Sequence, residues 1–316
     1  MHASRGQLIR AQEGAPLNRT ILLTGSAGLV GTALTAHLGA LGLDVRPLDL
    51  RNSAPADVRD TATVRRAMAG CTGVIHLAAV SRVIWGEQDP DTCRATNIGG
   101  TRNILEAALT SPARPWVIFA SSREVYGEPA RLPATEDAAL APVNVYGHTK
   151  IAGERLVDEA RGLGLRAAVV RLSNVYGSPA DHPDRVVPAF VRAAVRGLPL
   201  RVDGPDHTFD FTHIDDSARG ITLLASLLET EPSPPPPIHF LTGTPTTLGA
   251  LAELAVELAG TRAPIAAAPP RNFDVARFFG DPTRAHQLLG WSPQVTLREG
   301  LSRFITAIRN EQGAQP

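Results

Sequence analysis

Thr20-Ile21-Leu22-Leu23-Thr24-Gly25-Ser26-Ala27-Gly28-Leu29-Val30-Gly31 is the stretch on which the fold turns. Thr20 to Thr24 is short, apolar and rich in strand formers, so it reads as a buried strand. A glycine turn follows, and Leu29 to Leu41 reads as a helix. Glycines at 25, 28 and 31 permit a tight turn, close approach of a pyrophosphate to the backbone, and close packing of helix on strand. The start of the helix turns unpaired N–H groups toward the same point, which suits an anion. A glycine triplet alone says little, but one that ends a strand and opens a helix says much more.

Outward from that turn, short apolar runs alternate with amphipathic stretches. Val45 to Leu48, Val74 to Leu77, Trp116 to Ala120 and Arg166 to Arg171 read as strands, while Asn97 to Leu109 and Ile151 to Arg161 read as helices. This alternation predicts βαβ units and an α/β fold, a Rossmann doubly wound parallel sheet. After Asn174 the rhythm breaks, and Pro, Gly, His and Asp crowd the chain through Phe211. Ile214 to Leu228 again looks helical, 231–237 is a Pro-rich loop, and Ile238 to Leu241 is one more strand. Helical patterns return at Leu248 to Leu258 and near Leu297 to Ile308. The predicted organisation is a leader at 1–18, a Rossmann domain at 19–174 plus 212–244, and a smaller C-terminal α/β lobe at 175–211 plus 245–316.

Asp49 closes the second strand. An acid there accepts hydrogen bonds from an adenosine ribose and meets a 2′-phosphate with like charge, so it favours NAD over NADP. Arg51 stands close by and works in the opposite sense.

Composition narrows the class. Of 316 residues, 43% are hydrophobic and 20% charged, which is ordinary for a globular protein. Formal net charge is zero and the pI is near 7.1, arguing against a nucleic-acid binder or a polybasic membrane binder. No apolar run reaches the ~20 residues of a membrane-spanning helix. Cys71 and Cys93 have neither metal-site nor CxxC spacing, so no metal is expected and reduced thiols in a cytoplasmic protein are the simplest account.

Lysine and arginine total 31, and a single one is lysine: Lys150, in Tyr146-Gly147-His148-Thr149-Lys150. A chain this rich in Arg keeps lysine where a compact ammonium is needed and a planar guanidinium will not do. On a helix, i and i+4 share a face, so Tyr146 and Lys150 address the same spot. Tyrosine, with a reference pKa of about 10, is a poor base at neutral pH, and an adjacent ammonium stabilises its phenolate. Asn144 is a candidate N-cap, which places Tyr146 in the first turn, where the helix dipole helps further.

These stretches, taken in order, resemble one family. Thr24-Gly25-Ser26-Ala27-Gly28-Leu29-Val30-Gly31, His76-Leu77-Ala78-Ala79, Asn97 before Gly100-Thr101, Ser121-Ser122 before Val125-Tyr126-Gly127, and Tyr146 with Lys150 are similar to the signatures of extended short-chain dehydrogenases/reductases. More narrowly, they resemble the NAD-dependent nucleotide-sugar epimerase/dehydratase group. The likeness continues through 171–177 and 210–216 to Leu289-Gly290-Trp291-Ser292-Pro293.

The resemblance implies roles. Gly25, Ala27, Gly28, Leu29, Val30, Gly31, Asp49, Arg51, Asp60, Leu77, Ala78, Ala79, Asn97 and Ser121 would hold NAD, joined by Tyr146 and Lys150 at its nicotinamide ribose. Tyr146 would be the base toward a sugar hydroxyl, with Ser122 bound to the same oxygen. Ser81, Arg82, Ser122, Arg123, Glu124, Asn174 and Val187 would meet the nucleotide-sugar substrate. Helices at Asp91–Leu109 and Tyr146–Arg161 would form a homodimer.

Two positions depart from the family. Dehydratases carry Asp-Glu after the catalytic hydroxyl residue, as leaving-group acid and base; here the pair is Arg123-Glu124. Glu124, in the position of the catalytic base, is kept and the acid is lost, since Arg remains charged. Arg123 would then pair a substrate carboxylate, or simply pair with Glu124. The second departure is Phe209, where the family has an Arg that clamps the diphosphate; His207, Arg185, Arg192 and Arg277 are the nearby replacements. The reading favoured is 4-epimerisation through a transient 4-ketone. The alternatives are dehydration or decarboxylation using Glu124, 4-ketosugar reduction, and a non-catalytic NAD-binding sensor or scaffold.

Overall fold

A computed structural model describes residues 19–52, 56–270 and 275–313. The leader predicted at 1–18 lies outside them. Chain order is β1 (Thr20–Thr24), α1 (Leu29–Ala40), β2 (Asp44–Leu48), α2 (Thr61–Met68), β3 (Gly73–His76), α3 (Val83–Gln88) and α4 (Pro90–Arg94). A π turn at Ala95–Gly99 leads into α5 (Gly100–Thr110), then come β4 (Trp116–Ser122), a 3₁₀ turn at Arg123–Val125, α6 (Val145–Gly162), β5 (Ala167–Leu172) and β6 (Asn174–Tyr176). The remainder is α7 (Val186–Val195), β7 (Leu200–Asp203), β8 (Thr208–Phe209), β9 (Phe211–His213), α8 (Ile214–Thr230), β10 (Ile238–Phe240), β11 (Thr246–Thr247), α9 (Leu248–Ala259), β12 (Ile265–Ala268), α10 (Thr283–Leu289) and α11 (Leu297–Gly313).

Six strands form one sheet in the order β10-β5-β4-β3-β1-β2, every neighbouring pair parallel. The order reverses between β1 and β3, and ligands of open α/β sheets bind at the carboxyl ends beside such a reversal. One face is covered by α1 and α8, whose Leu34, Leu38, Ile221 and Leu224 pack on Ile21, Leu23, Ile118 and Val170. The other is covered by α2, α5 and α6 through Val64, Ile104 and Val157, among others. Burial on both faces explains why these strands read as continuous apolar runs rather than alternating ones.

A third core lies outside the sheet. Val187, Phe190 and Val191 of α7 meet Leu251 and Ala255 of α9, Leu301 and Phe304 of α11, and Val202, Phe209 and Phe211 of the short strands. Helix α7 is absent from the sequence reading, because Pro188 and the flanking turn residues mask it. Pro188 sits in the first turn, where a missing N–H costs nothing. The C-terminal segment also divides differently from the predicted lobe. Ala285 of α10 and Trp291 belong to the sheet's core; the Trp291 ring lies 5.2 Å from Phe240, and its Nε1 donates to the Asp216 carbonyl at 3.0 Å.

Candidate active site

The glycine turn is closed by contacts no other residue tolerates. Gly25 has φ +70°, and a Cβ there would stand 2.7 Å from the Ala78 nitrogen. A Cβ on Gly31 would stand 2.2 Å from the Gly25 carbonyl oxygen. Helix α1 thus starts flush against the ends of β1 and β3, with Gly28 as N-cap and no side chain bonded to its first N–H groups. Asp49 ends β2 beside the turn; its carboxylate accepts from Ala27 N at 3.0 Å and from Arg51 N at 2.9 Å. The Arg51 guanidinium reaches the same carboxylate at 3.5 Å. Asp60 caps α2, accepting from Ala62 N at 2.9 Å.

The 77–80 segment is fixed by a chain of buried groups. Ala78 N donates to Thr24 Oγ1 at 3.2 Å, and Thr24 bonds His76 Nδ1 at 2.6 Å. His76 Nε2 meets Thr101 Oγ1 at 3.0 Å, and Thr101 donates to the Asn97 carbonyl at 2.6 Å. Burial pushes His76 down to about 3, so the ring is neutral and joins this chain with one donor and one acceptor. Asn97 accepts from Val80 N at 2.8 Å and donates to Thr149 Oγ1 at 2.9 Å, tying the segment to α6. Its side chain therefore orients the cleft wall and is not itself part of it.

Asn144 is the N-cap of α6, as its side chain in the sequence suggested, accepting from Gly147 N at 2.8 Å. Tyr146 stands in the first turn with Lys150 one turn on. Ser122, at the carboxyl end of β4, lines the same cleft as Tyr146, and its Oγ accepts from Glu124 N at 3.2 Å. Lys150 Nζ donates to the Ala120 carbonyl at 2.8 Å and lies 5.6 Å from the Tyr146 ring centroid. Burial pushes Tyr146 up to about 12, opposed first by the charge of Arg185. Burial brings Lys150 down to about 8, opposed by Cys93 and Glu154. Neighbouring Ser121 turns the other way, donating to Glu154 at 2.5 Å, which also holds Arg171 in a buried ion pair.

Arg123 and Glu124 form an ion pair at 2.7 Å, with side chains 11% and 9% exposed. Glu124 Oε2 accepts from Asn144 Nδ2 at 2.8 Å, so both carboxylate oxygens are engaged. The Arg123 guanidinium lies over Phe209, 4.6 Å from its centroid, and Nε donates to Asn174 Oδ1 at 3.3 Å.

Part of this set lines one cleft of about 440 Å³ between the sheet's carboxyl edge and the smaller lobe, whereas Ala27, Asp49, Arg51, Asp60, Ala78 and Asn97 stand behind its wall. It gathers Gly25, Gly28, Leu29, Val30, Gly31, Leu77 and Ala79 at one end, Ser121, Ser122, Tyr146 and Lys150 in the middle, and Ser81, Arg82, Arg123, Glu124, Asn174 and Val187 toward the lobe. Arg192, His207 and Arg277 are not among its lining residues. Arg192 donates to the Pro179 carbonyl at 2.9 Å, His207 packs on the Gly204 turn, and Arg277 pairs through its backbone with Thr208. The cleft also takes in Asp181, Asp184, Arg201 and Asp203, which sequence reasoning passed over. Their one local signal was charge beside Pro183 and Gly204 in the segment where the βα rhythm stops.

A glycine turn under a strand-end acid, with Ser122, Tyr146 and Lys150 converging beyond it, defines a short-chain dehydrogenase/reductase of the extended kind that uses NAD. Residues 21–236 match the NAD dependent epimerase/dehydratase family, and the chain belongs to that family. A UDP-glucose 4-epimerase of Mycolicibacterium smegmatis is 30% identical over 313 residues, covering 92% of this chain and 98% of that one. MoeE5, solved in complex with UDP-glucuronic acid and NAD, superposes with a TM-score of 0.83 at 28% identity, covering 92% and 99%. DesIV, a dTDP-glucose 4,6-dehydratase from Streptomyces venezuelae solved with NAD, gives 0.85 at 26% identity, covering 93% and 98%. The chain is an NAD-dependent enzyme of the nucleotide-sugar epimerase/dehydratase class. No helix among the described residues is long and apolar enough to cross a membrane.

Proposed function

We propose that this enzyme inverts carbon 4 of a uridine-diphosphate hexose. The observation that carries the reading is the state of Glu124. Both its oxygens are tied, to Arg123 and Asn144, while Ser122, Tyr146 and Lys150 converge on the open cleft. Dehydration also needs an acid beside Ser122 to protonate the leaving hydroxyl, and Arg123, which stays charged, stands there instead.

NAD fits the chain's own residues: the uncapped start of α1 and the Gly25 and Gly31 contacts leave bare backbone for a pyrophosphate, and Asp49 keeps acceptor capacity for a ribose. When bound, NAD supplies a hydride acceptor at carbon 4 and then a hydride donor to the opposite face. Tyr146 takes the proton of the 4-hydroxyl and returns it. Ser122 holds the same oxygen, so that it stays aligned while the ring presents its other face. Lys150 keeps a positive charge beside the phenolate. Asp49 argues for NAD over NADP, although Arg51 shares its surroundings.

Incubation with UDP-glucose, UDP-galactose and UDP-glucuronate, followed by mass and NMR, tests the reading. Unchanged mass with inverted carbon 4 supports it. Loss of water or of carbon dioxide moves the enzyme to the dehydratases or decarboxylases, and no turnover of any nucleotide sugar sinks the assignment. A homodimer through α5 and α6 rests on the family resemblance, and a cytoplasmic setting on the free thiols of Cys71 and Cys93. Equilibrium sedimentation checks the first, with charge reversal at exposed Arg102 and Arg155 expected to weaken association.

A further inference from the structure

Phe209 leaves a diphosphate without its usual cation, so something else in the cleft must meet the substrate's negative charge. Four arginines line the wall: Arg82, Arg123, Arg185 and Arg201. Three are committed elsewhere. Arg82 makes a two-pronged pair with Asp184 at 2.5 and 2.8 Å. Arg123 is held by Glu124, Asn174 and the Phe209 ring, and its charge is balanced by Glu124 even though its buried Nη1 has no partner. Arg201 gives its Nε to Asp203 at 2.8 Å, and its side chain is 76% exposed, so water screens it.

Arg185 differs. Its guanidinium stands 3.5 Å from Asp181 Oδ1 and 3.4 Å from Ser81 Oγ, both longer than the ~2.7–2.9 Å of a closed charge-assisted bond. Asp181 is buried and its Oδ2 has no partner, so it steers the guanidinium without saturating it. Ser81 belongs to the sheet side and Asp181 to the lobe, so Arg185 bridges the cleft beside the Arg82–Asp184 pair. Arg185 is also the N-cap residue of α7, whose side chain makes no capping bond. It therefore stands at the positive end of a helix, with donors to spare.

We propose that Arg185 is the cation that holds an oxyanion of the nucleotide-sugar substrate, taking over the work of the arginine absent at position 209. This rests on the reading given under Proposed function. The oxyanion is either the diphosphate or a carboxylate on carbon 6, and the two have different consequences. A diphosphate clamp acts on every nucleotide diphosphate, whereas a carboxylate clamp acts on uronates alone.

Calorimetric titration of the full chain with uridine, UMP, UDP, UDP-glucose and UDP-glucuronate, for the native protein, Arg185→Met and Arg185→Lys, distinguishes them. For the diphosphate, Arg185→Met weakens UDP and both UDP-sugars at least tenfold and leaves uridine unchanged, with Arg185→Lys intermediate. For the carboxylate, only UDP-glucuronate weakens. NAD content and the thermal transition check the fold; should Arg185→Met not fold, Arg185→Lys carries the same comparison, with a loss of at least threefold expected. UDP and both sugars binding either folded variant within twofold of the native protein overturns the inference, as does a native protein that binds none of these nucleotides. Binding is read without turnover. A native protein that binds UDP but converts no sugar therefore fails the epimerase reading alone, and leaves Arg185 to be judged by the titrations.

Discussion

The guanidinium of Arg123 lies over the ring of Phe209, 4.6 Å from its centroid, while its Nη2 holds Glu124 at 2.7 Å. An aromatic face replaces a cation at 209 and supports a second cation at 123. The charge of Arg123 is balanced within the pair, and its position is set by the ring.

The pair yields the first prediction. Removing one member of a buried ion pair leaves the other uncompensated, which costs about 3–5 kcal/mol. Arg123→Met should lower unfolding stability by about 3 kcal/mol in urea titrations, since Glu124 keeps only Asn144. The double variant Arg123→Met with Glu124→Leu should recover more than half of that loss. A single variant as stable as the native protein would show the pair to be solvated in solution.

Lys150 yields the second. Its ammonium sits among the Ala120 carbonyl, the Phe119 ring at 5.0 Å and the Tyr146 ring at 5.6 Å. A longer, planar guanidinium cannot occupy that space and keep the same bond. Lys150→Arg should keep the fold by circular dichroism and lose about 100-fold or more in kcat, the scale of a misplaced proton-transfer group, with weaker NAD retention. Native turnover in that variant would reduce the lysine to an accident of composition.

The third concerns pH. In the protein without ligands, burial pushes Tyr146 up to about 12 and Lys150 down to about 8, so Lys150 is the first to release a proton as pH rises. The active form needs the reverse, a phenolate beside an ammonium. Activity should therefore climb with pH as Tyr146 ionises in the complex, then fall as pH rises through about 8 and Lys150 loses its charge. Profiles of kcat/KM for the enzyme before substrate binds, and of kcat for the substrate complex, check both limbs. Arg185→Met should displace the rising limb to higher pH, because Arg185 is the first charge favouring the phenolate.

Much of this site could be read locally. The glycine turn, the Asn144 cap and the spacing of Tyr146 and Lys150 are written within single elements, where periodicity and capping chemistry decide the structure. Helix α7 could not be read, because Pro188 and a run of valines argue against a helix until the apolar faces of α9 and α11 are there to bury it. The Arg82–Asp184 pair spans 102 positions, and no local signal announces a partner so distant. Phe209 was legible as a missing charge. What lies against it was not, because the contact with Arg123 depends on how β8 meets the end of β4.

Two glycines of α1 give the last prediction, because they share a helix and differ only in what stands opposite. A Cβ on Gly31 meets the Gly25 carbonyl oxygen at 2.2 Å and Ser26 at 2.7 Å, all backbone atoms or bonded to them, so the turn must open to admit it. A Cβ on Gly39 meets nothing within 4 Å. Gly→Ala in an unobstructed helical position stabilises by about 0.5–1 kcal/mol, through reduced freedom of the unfolded chain and better helix propensity. Gly39→Ala should therefore raise the melting temperature slightly with NAD affinity unchanged. Gly31→Ala should lose NAD binding by more than tenfold and melt earlier, since the same displacement moves the start of α1 away from Ala78 and β3. Calorimetric NAD titration beside thermal melts separates the two, and equal behaviour of both variants would mean that the turn yields where its packing says it cannot.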